Sequence, residues 1–235
     1  MHSVIHDNTL VFGCARADDG AYENYAKGTI YWSKIWYADL GDEVCSNIAY
    51  WPHEAINFEM CGFKRYYLSN NASKRSSMTF LASVPLSRKM ALSSSTATTG
   101  GWANFTLNTY LNSRIYSAFP IKWKQLIKQV KIKSSIGDKS TEISSSDCYI
   151  AIPAAIQIDS RKTNEPYINE DSAIDYFTTD GSRILYDKDG NAVEYWTRSP
   201  DAGYINYMLR VRTNGTLYSY DYPNSEKAIR ILFSI

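Results

Sequence analysis

The chain has 235 residues, 44% of them hydrophobic and 21% charged, which is enough apolar content for a buried core and too much for a disordered segment. With 25 Lys and Arg against 24 Asp and Glu the formal net charge is +1, which argues against a phosphate-backbone or anionic-bilayer binder. No apolar run reaches the roughly 18 residues that cross a bilayer, and residues 1–6 lack the charged and apolar regions of a signal peptide.

At the N-terminal end, Thr9-Leu10-Val11-Phe12 and residues 28–37 (GTIYWSKIWY) read as two strands of a hairpin. A lone hairpin is marginal in water, so this one is expected to dock on the rest of the chain or on a partner, with Ile30, Trp32 and Trp36 as its apolar surface. The stretch resembles the closing strands of the laminin-G-like, concanavalin-type sandwich of phage tail and adhesion proteins. Only about its last two strands are present, so no glycan-binding function is carried over to residues 1–44. A second unit, residues 45–235, starts near Val44 to Asn47 and contains short strands at Ala55-Ile56-Asn57-Phe58-Glu59-Met60 and Met78-Thr79-Phe80-Leu81, with a polar stretch between them. A small-residue loop over residues 93–101 leads into a helix with Leu107, Tyr110, Leu111 and Ile115 on one face. Pro120 then opens a second helix, with Trp123, Leu126, Ile127 and Val130 inward and Lys122, Lys124, Gln125 and Lys128 as a solvated face.

After Lys131-Ile132-Lys133 the chain is β-rich. Residues 183–186 and 192–196 read as a hairpin closed by an Asp-Gly turn. Asp187, Asp189 and Asn191 in that turn superficially resemble a calcium loop, but the glycine and the twelfth-position Glu of an EF-hand are misplaced, and a turn is the better reading. Along residues 204–212, Ile205, Tyr207, Leu209 and Val211 share the parity expected of a core face, opposite Tyr204, Asn206, Met208, Arg210 and Arg212. Asn214-Gly215 is a turn, after which Thr216, Tyr218, Tyr220 and Tyr222 share one face. The last strand, with Ile229, Ile231 and Phe233 alternating with Ala228, Arg230 and Leu232, is apolar enough to be central in a sheet.

Five motifs recur in order: Gly100-Gly101-Trp102, Tyr110-Leu111-Asn112, Ile127-Lys128-Gln129-Val130, Trp196-Thr197-Arg198-Ser199-Pro200 and Ala228-Ile229-Arg230-Ile231-Leu232-Phe233. Together they resemble a family of uncharacterised bacterial and phage domains. In the closing motif, Ala228 and Ile231 replace that family's Gly and Pro. The family is similar to the C-type-lectin-like fold of formylglycine-generating enzymes and of the variable proteins of diversity-generating retroelements. The resemblance implies an α+β domain with two helices and a twisted antiparallel sheet. Trp102, Trp196, Arg198, Pro200 and Arg230 are then structural, with the Arg198 guanidinium tying down loop carbonyls through its five donors.

Catalytic chemistry finds little support in the residues. No Cys-x-x-Cys pair occurs, Cys14 and Cys148 read as buried hydrophobes, and a Cys45–Cys61 pair stays open for an oxidising compartment. His53 has no nucleophile motif around it, Asp171 and Asp175 on a short helix read as a solvated face, and nucleotide-binding glycine patterns are absent. We therefore expect no metal, no cofactor and no enzymatic activity. The 19 Tyr suit recognition surfaces and the edges of cores alike, since Tyr joins a large apolar face to a hydroxyl at low entropic cost, and where they lie decides between the two. The expected ligand-binding residues are Tyr204, Asn206, Arg210, Arg212, Tyr218, Tyr220, Tyr222 and Asn224. The expected function is host recognition by a phage tail fibre, tail tip or bacterial surface protein, in the virion or at the cell surface. The ligand would be a host-surface glycan or protein, without nucleic acid or membrane insertion. The alternative is a structural or assembly subunit that self-associates or docks on other tail proteins.

Overall fold

The computed structural model describes residues 27–30 and 56–235. The expected strand at 9–12, most of that at 28–37, the start of the second unit at 44–47, Cys14, Cys45 and His53 lie outside these residues. In chain order the strands are β1 (Lys27–Ile30), β2 (Ile56–Phe63), β3 (Tyr67–Leu68), β4 (Asn71–Arg75), β5 (Met78–Ala82), β6 (Val130–Ser135) and β7 (Ile143–Cys148). They continue with β8 (Ile150–Ala151), β9 (Leu185–Tyr186), β10 (Ala192–Val193), β11 (Tyr195–Pro200), β12 (Met208–Val211), β13 (Leu217–Asp221) and β14 (Leu232–Ser234). Helices are short: α1 (Gly101–Asn104), α2 (Thr106–Tyr110), α3 (Tyr116–Ala118), α4 (Ile121–Leu126), α5 (Ala155–Ile158), α6 (Tyr167–Glu170) and α7 (Asp180–Arg183). The fold is mixed α+β with antiparallel sheets.

The largest sheet has the order β1-β2-β5-β14-β8, so the apolar C-terminal strand is interior. β1 pairs antiparallel with β2, with Lys27 opposite Glu59 and Ile30 opposite Ile56. At the core's centre Phe233 of β14 meets Phe58, Phe80, Phe119 and Trp123, with ring centroids 5.0, 5.5, 5.6 and 6.1 Å away. Two further sheets have the orders β4-β3-β6-β7 and β11-β12-β13, and β9 pairs with β10. The polar stretch between β2 and β5 is thus a strand pair, β3 and β4, whose exposed side chains hide the alternation that marks a half-buried strand.

The motifs act as joints between these layers. Gly101 has φ +56, and a Cβ there would sit 1.8 Å from the Ser135 carbonyl oxygen, so only glycine lets α1 approach β6 and bury Trp102. Between α2 and α3 the helix runs through a π turn, Leu111–Ile115. Within that turn Asn112 accepts from the Tyr149 and Ile150 amides at 2.6 and 3.0 Å and donates to the Ile150 carbonyl at 2.9 Å, fastening the helix to β8. The second helix is shorter than its expected pattern. Ile127 and Val130 are buried in extended chain, whereas Leu126 is exposed, because α4 stops before the apolar face completes another turn.

Candidate functional site

The expected recognition residues lie on β12 and β13 of the three-stranded sheet and on the loops that precede, join and follow them. β11 enters the core through Arg198, which is fully buried. Its Nε donates to the Lys133 carbonyl at 2.9 Å and its Nη1 to the Ile152 carbonyl at 2.7 Å and to Gln157 Oε1 at 2.8 Å. Its Nη2 lies 3.4 Å from Asp171 Oδ2, and Asp171 Oδ1 lies 3.3 Å from Arg65. Asp171 is therefore an ion-paired clasp between two arginines. It follows α6 rather than sharing a helix with Asp175, which is exposed, so the expected solvated carboxylate face does not form. Arg230 likewise faces inward, donating from Nε to the Ala82 carbonyl at 2.8 Å with Phe177 under its guanidinium.

The loop between β11 and β12 is held from several directions. The Asp201 amide donates to the Tyr207 carbonyl at 2.8 Å, the Ala202 amide to the Tyr167 hydroxyl at 2.9 Å, and buried Thr98 donates its hydroxyl to the Ile205 carbonyl at 2.7 Å. Residues 204–207 precede the strand, so the expected strand parity does not govern them. Ile205 is exposed, Met208 is buried, and Tyr207 turns to the other tyrosines instead of the core. At the far end the β12–β13 hairpin turns at Gly215, whose φ is +81 and where a Cβ would lie 1.8 Å from the Asp180 carbonyl oxygen. Asn214 Oδ1 accepts from the Thr216 amide and hydroxyl at 3.1 and 2.7 Å, closing the turn.

The register of β12 with β13 slips between Met208–Asp221 and Arg210–Tyr218, placing one extra residue in β13. Tyr220 lies in that bulge with φ +72, a left-handed conformation that L side chains disfavour. The bulge turns its ring into a cluster. Tyr204, Tyr207 and Tyr220 are mutually 5.1 to 5.3 Å apart at their centroids, Tyr207 is 5.0 Å from Tyr222, and Tyr218 is 5.7 Å from Tyr220. The Tyr204 and Tyr220 hydroxyls are 3.2 Å apart, and this hydrogen bond holds the Tyr220 phenol above the ordinary tyrosine pKa. Tyr204, Ile205, Tyr220 and Tyr222 remain 43, 57, 50 and 40% exposed.

Arg210 of β12 and Arg212, just past the strand's end, are placed differently. Arg210 is bound at 3.0 Å to Glu194 and at 2.5 Å to Asp221, with Lys227 3.6 and 3.4 Å from the same carboxylates. Its charge is spent inside the domain. Arg212 lies 3.4 Å over the Tyr218 ring and forms no ion pair among the described residues. Asn206 lies between Tyr204 and Tyr207 and is half-buried, and Asn224 follows Tyr222 and is exposed. The structure thus brings together Tyr204, Tyr218, Tyr220, Tyr222 and Arg212, adds Tyr207, and sets Arg210 behind them as a support. The signal for Tyr207 is its closeness in sequence to Tyr204, just before the strand that carries Arg210.

Other chemistry-bearing groups are interior or committed. Burial pushes the free Cys61 and Cys148 thiols up to about 12 and about 11, so neither is a thiolate near neutral pH. The Asp187 carboxylate accepts from the Asp189 and Asn191 amides at 3.0 and 2.9 Å in the β9–β10 turn. Glu170 is fully buried, accepting from the Ser135 amide at 2.9 Å and from the Ser199 hydroxyl. Burial raises its pKa to about 7, against the lowering effect of Arg198 and these hydrogen bonds. Among the described residues no helix is long and apolar enough to cross a membrane.

No curated protein and no solved structure matches the chain. A family description does match, over residues 76–235, a span that runs from the end of β4 through Gly101, Asn112, Arg198 and the tyrosine cluster to the C-terminal strand. The chain belongs to the DUF6273 family, a domain of unknown function.

Proposed function

We propose that this chain is a non-enzymatic recognition module which binds a host-surface glycan or protein through the cluster of Tyr204, Tyr207, Tyr218, Tyr220 and Tyr222. One observation carries the reading. A contiguous exposed aromatic surface is mounted on a braced loop and on a bulged strand whose Tyr220 backbone is held at φ +72. Strain of this kind persists only where the surroundings enforce it, and it gathers at functional sites. Tyrosine and arginine supply most of the energy in recognition surfaces, and bracing lowers the entropy lost on binding. Of the described cysteines, Cys61 and Cys148 are buried and protonated, so this surface does not draw on their thiols.

The finer fold reading, a C-type-lectin-like domain, belongs to the same proposal. Its support is the motif order together with short helices packed beside antiparallel sheets and a display loop and hairpin near the C-terminus. So does the setting, a phage tail fibre or tail tip or a bacterial surface protein. The test is a glycan and surface-protein binding screen with the wild-type chain and with Tyr218→Ala and Tyr220→Ala. Loss of binding in a folded variant supports recognition. A change in oligomer size alone would replace it with an assembly role.

A further inference from the structure

We infer that Tyr204 and Tyr220 form an oxidative cross-linking site, at which a one-electron oxidant joins the two rings as dityrosine and staples the β11–β12 loop to β13. The inference rests on ring geometry and is independent of what the surface binds. The two hydroxyl oxygens lie 3.2 Å apart, while the ring centroids are 5.1 Å apart and the planes cross at 58°. The rings therefore converge at their hydroxyl ends. The carbons flanking each hydroxyl, which carry most of a phenoxyl radical's carbon spin, sit on that converging edge. An ortho–ortho carbon bond keeps its two hydroxyls adjacent, so the resting arrangement already approximates the product. Both rings are accessible, at 43 and 50% exposure, and the described cysteines are buried and cannot compete as surface reductants.

The chemistry balances without any group from the protein beyond the two phenols. An oxidant of the peroxidase or photo-excited metal-complex class removes one electron from each phenol, and each phenolic proton passes to water. The two phenoxyl radicals couple through their ortho carbons, forming one carbon–carbon bond. Each ring then regains aromaticity by moving its ortho C–H proton, through solvent, to its oxygen. Two electrons and two protons leave, and the product is two hydrogen atoms lighter. The consequence is a covalent tie between a loop and a bulged strand that are otherwise joined here by side-chain contacts.

The site is tested by illuminating the dilute full chain with a ruthenium tris-bipyridyl complex and persulfate, which is reduced to sulfate as the terminal electron acceptor. The monomer fraction should gain dityrosine fluorescence, and peptide mapping should show one cross-link joining the peptides that carry Tyr204 and Tyr220, two hydrogen atoms lighter than their sum. Tyr204→Phe and Tyr220→Phe, made separately, each remove only an exposed hydroxyl and should lose at least about nine-tenths of that signal, a tenfold change. Tyr186→Phe, an exposed tyrosine on β9 outside the cluster, should retain it. A cross-link mapped to Tyr207–Tyr222 or to any other pair, one confined to dimers, or equal fluorescence in Tyr204→Phe would overturn the inference. Because the wild-type map needs no substitution, the result does not hinge on how a variant folds.

Discussion

Arg210 on β12 and Arg212, one residue past its end, both lie over the ring of Tyr218, at 5.0 and 3.4 Å, yet only Arg210 is ion-paired among the described residues. Removing Arg210 leaves Glu194 and Asp221 with Lys227 alone, so Arg210→Ala is expected to cost about 1–3 kcal/mol, below the fully buried case because these groups are partly hydrated. Arg212→Ala removes one half-buried cation–π contact and should cost about 1 kcal/mol or less. Urea denaturation of both variants checks this, and equal losses would place Arg212 in the scaffold.

At Tyr220 the usual order of small residues should invert. Glycine in a strand is ordinarily less stable than alanine by about 0.5–1 kcal/mol. Here φ is +72, which costs a residue with a Cβ about 1–2 kcal/mol. Tyr220→Gly should therefore be more stable than Tyr220→Ala by about 1 kcal/mol, read as a shift in denaturation midpoint. The ordinary order would mean that the bulge relaxes once the ring is gone.

Phe233, with four aromatic neighbours, belongs to the scaffold. Phe233→Ala should cost about 3–5 kcal/mol and Ile229→Ala about 2–5 kcal/mol, while Asn206→Ala changes stability by less than about 1 kcal/mol. Paired denaturation curves give the contrast directly.

Glu170 predicts a pH dependence of defined sign. Its folded pKa, about 7, stands above the unfolded value of 4.5, so below 4.5 the carboxyl is protonated in both states and stability is intact. As pH rises from 4.5 to about 7 the unfolded state ionises first, and this group's contribution is lost, by about 3 kcal/mol in all. Glu170→Gln keeps an acceptor for the Ser135 amide and should flatten the profile across that window. A wild-type-minus-variant difference that does not change between pH 4.5 and 8 would mean that Glu170 is ionised throughout, paired with Arg198.

Much of the scaffold was legible because its signals are local. Short apolar stretches marked β2 and β5, Asp189-Gly190 marked the β9–β10 turn, and Pro120 marked the start of α4. A buried arginine beside Ser-Pro pointed to carbonyl contacts, and Arg198 makes them. Other features depend on partners far along the chain. Thr98 grips a carbonyl 107 residues away, Gln157 links Tyr66 to Arg198, and Asp171 is claimed by Arg65 and Arg198. Within the site, strand parity read Tyr218 and Tyr220 as neighbours on one face. It failed for Ile205, Tyr207 and Met208, because the strand starts late and a bulge in its partner shifts the register.

Whether the tyrosine surface recognises something outside the chain is decided by measuring binding to a panel of intact bacterial cells alongside sedimentation of the same samples. Wild type is compared with Tyr204→Ala and Tyr220→Gly, each confirmed as folded by its denaturation curve. Wild type should bind a subset of cells, and either variant should lose at least about tenfold in affinity, the effect of removing about 1.4 kcal/mol, with sedimentation unchanged. Undiminished cell binding by both variants, or an effect seen only as a change in oligomer size, would contradict recognition by this surface.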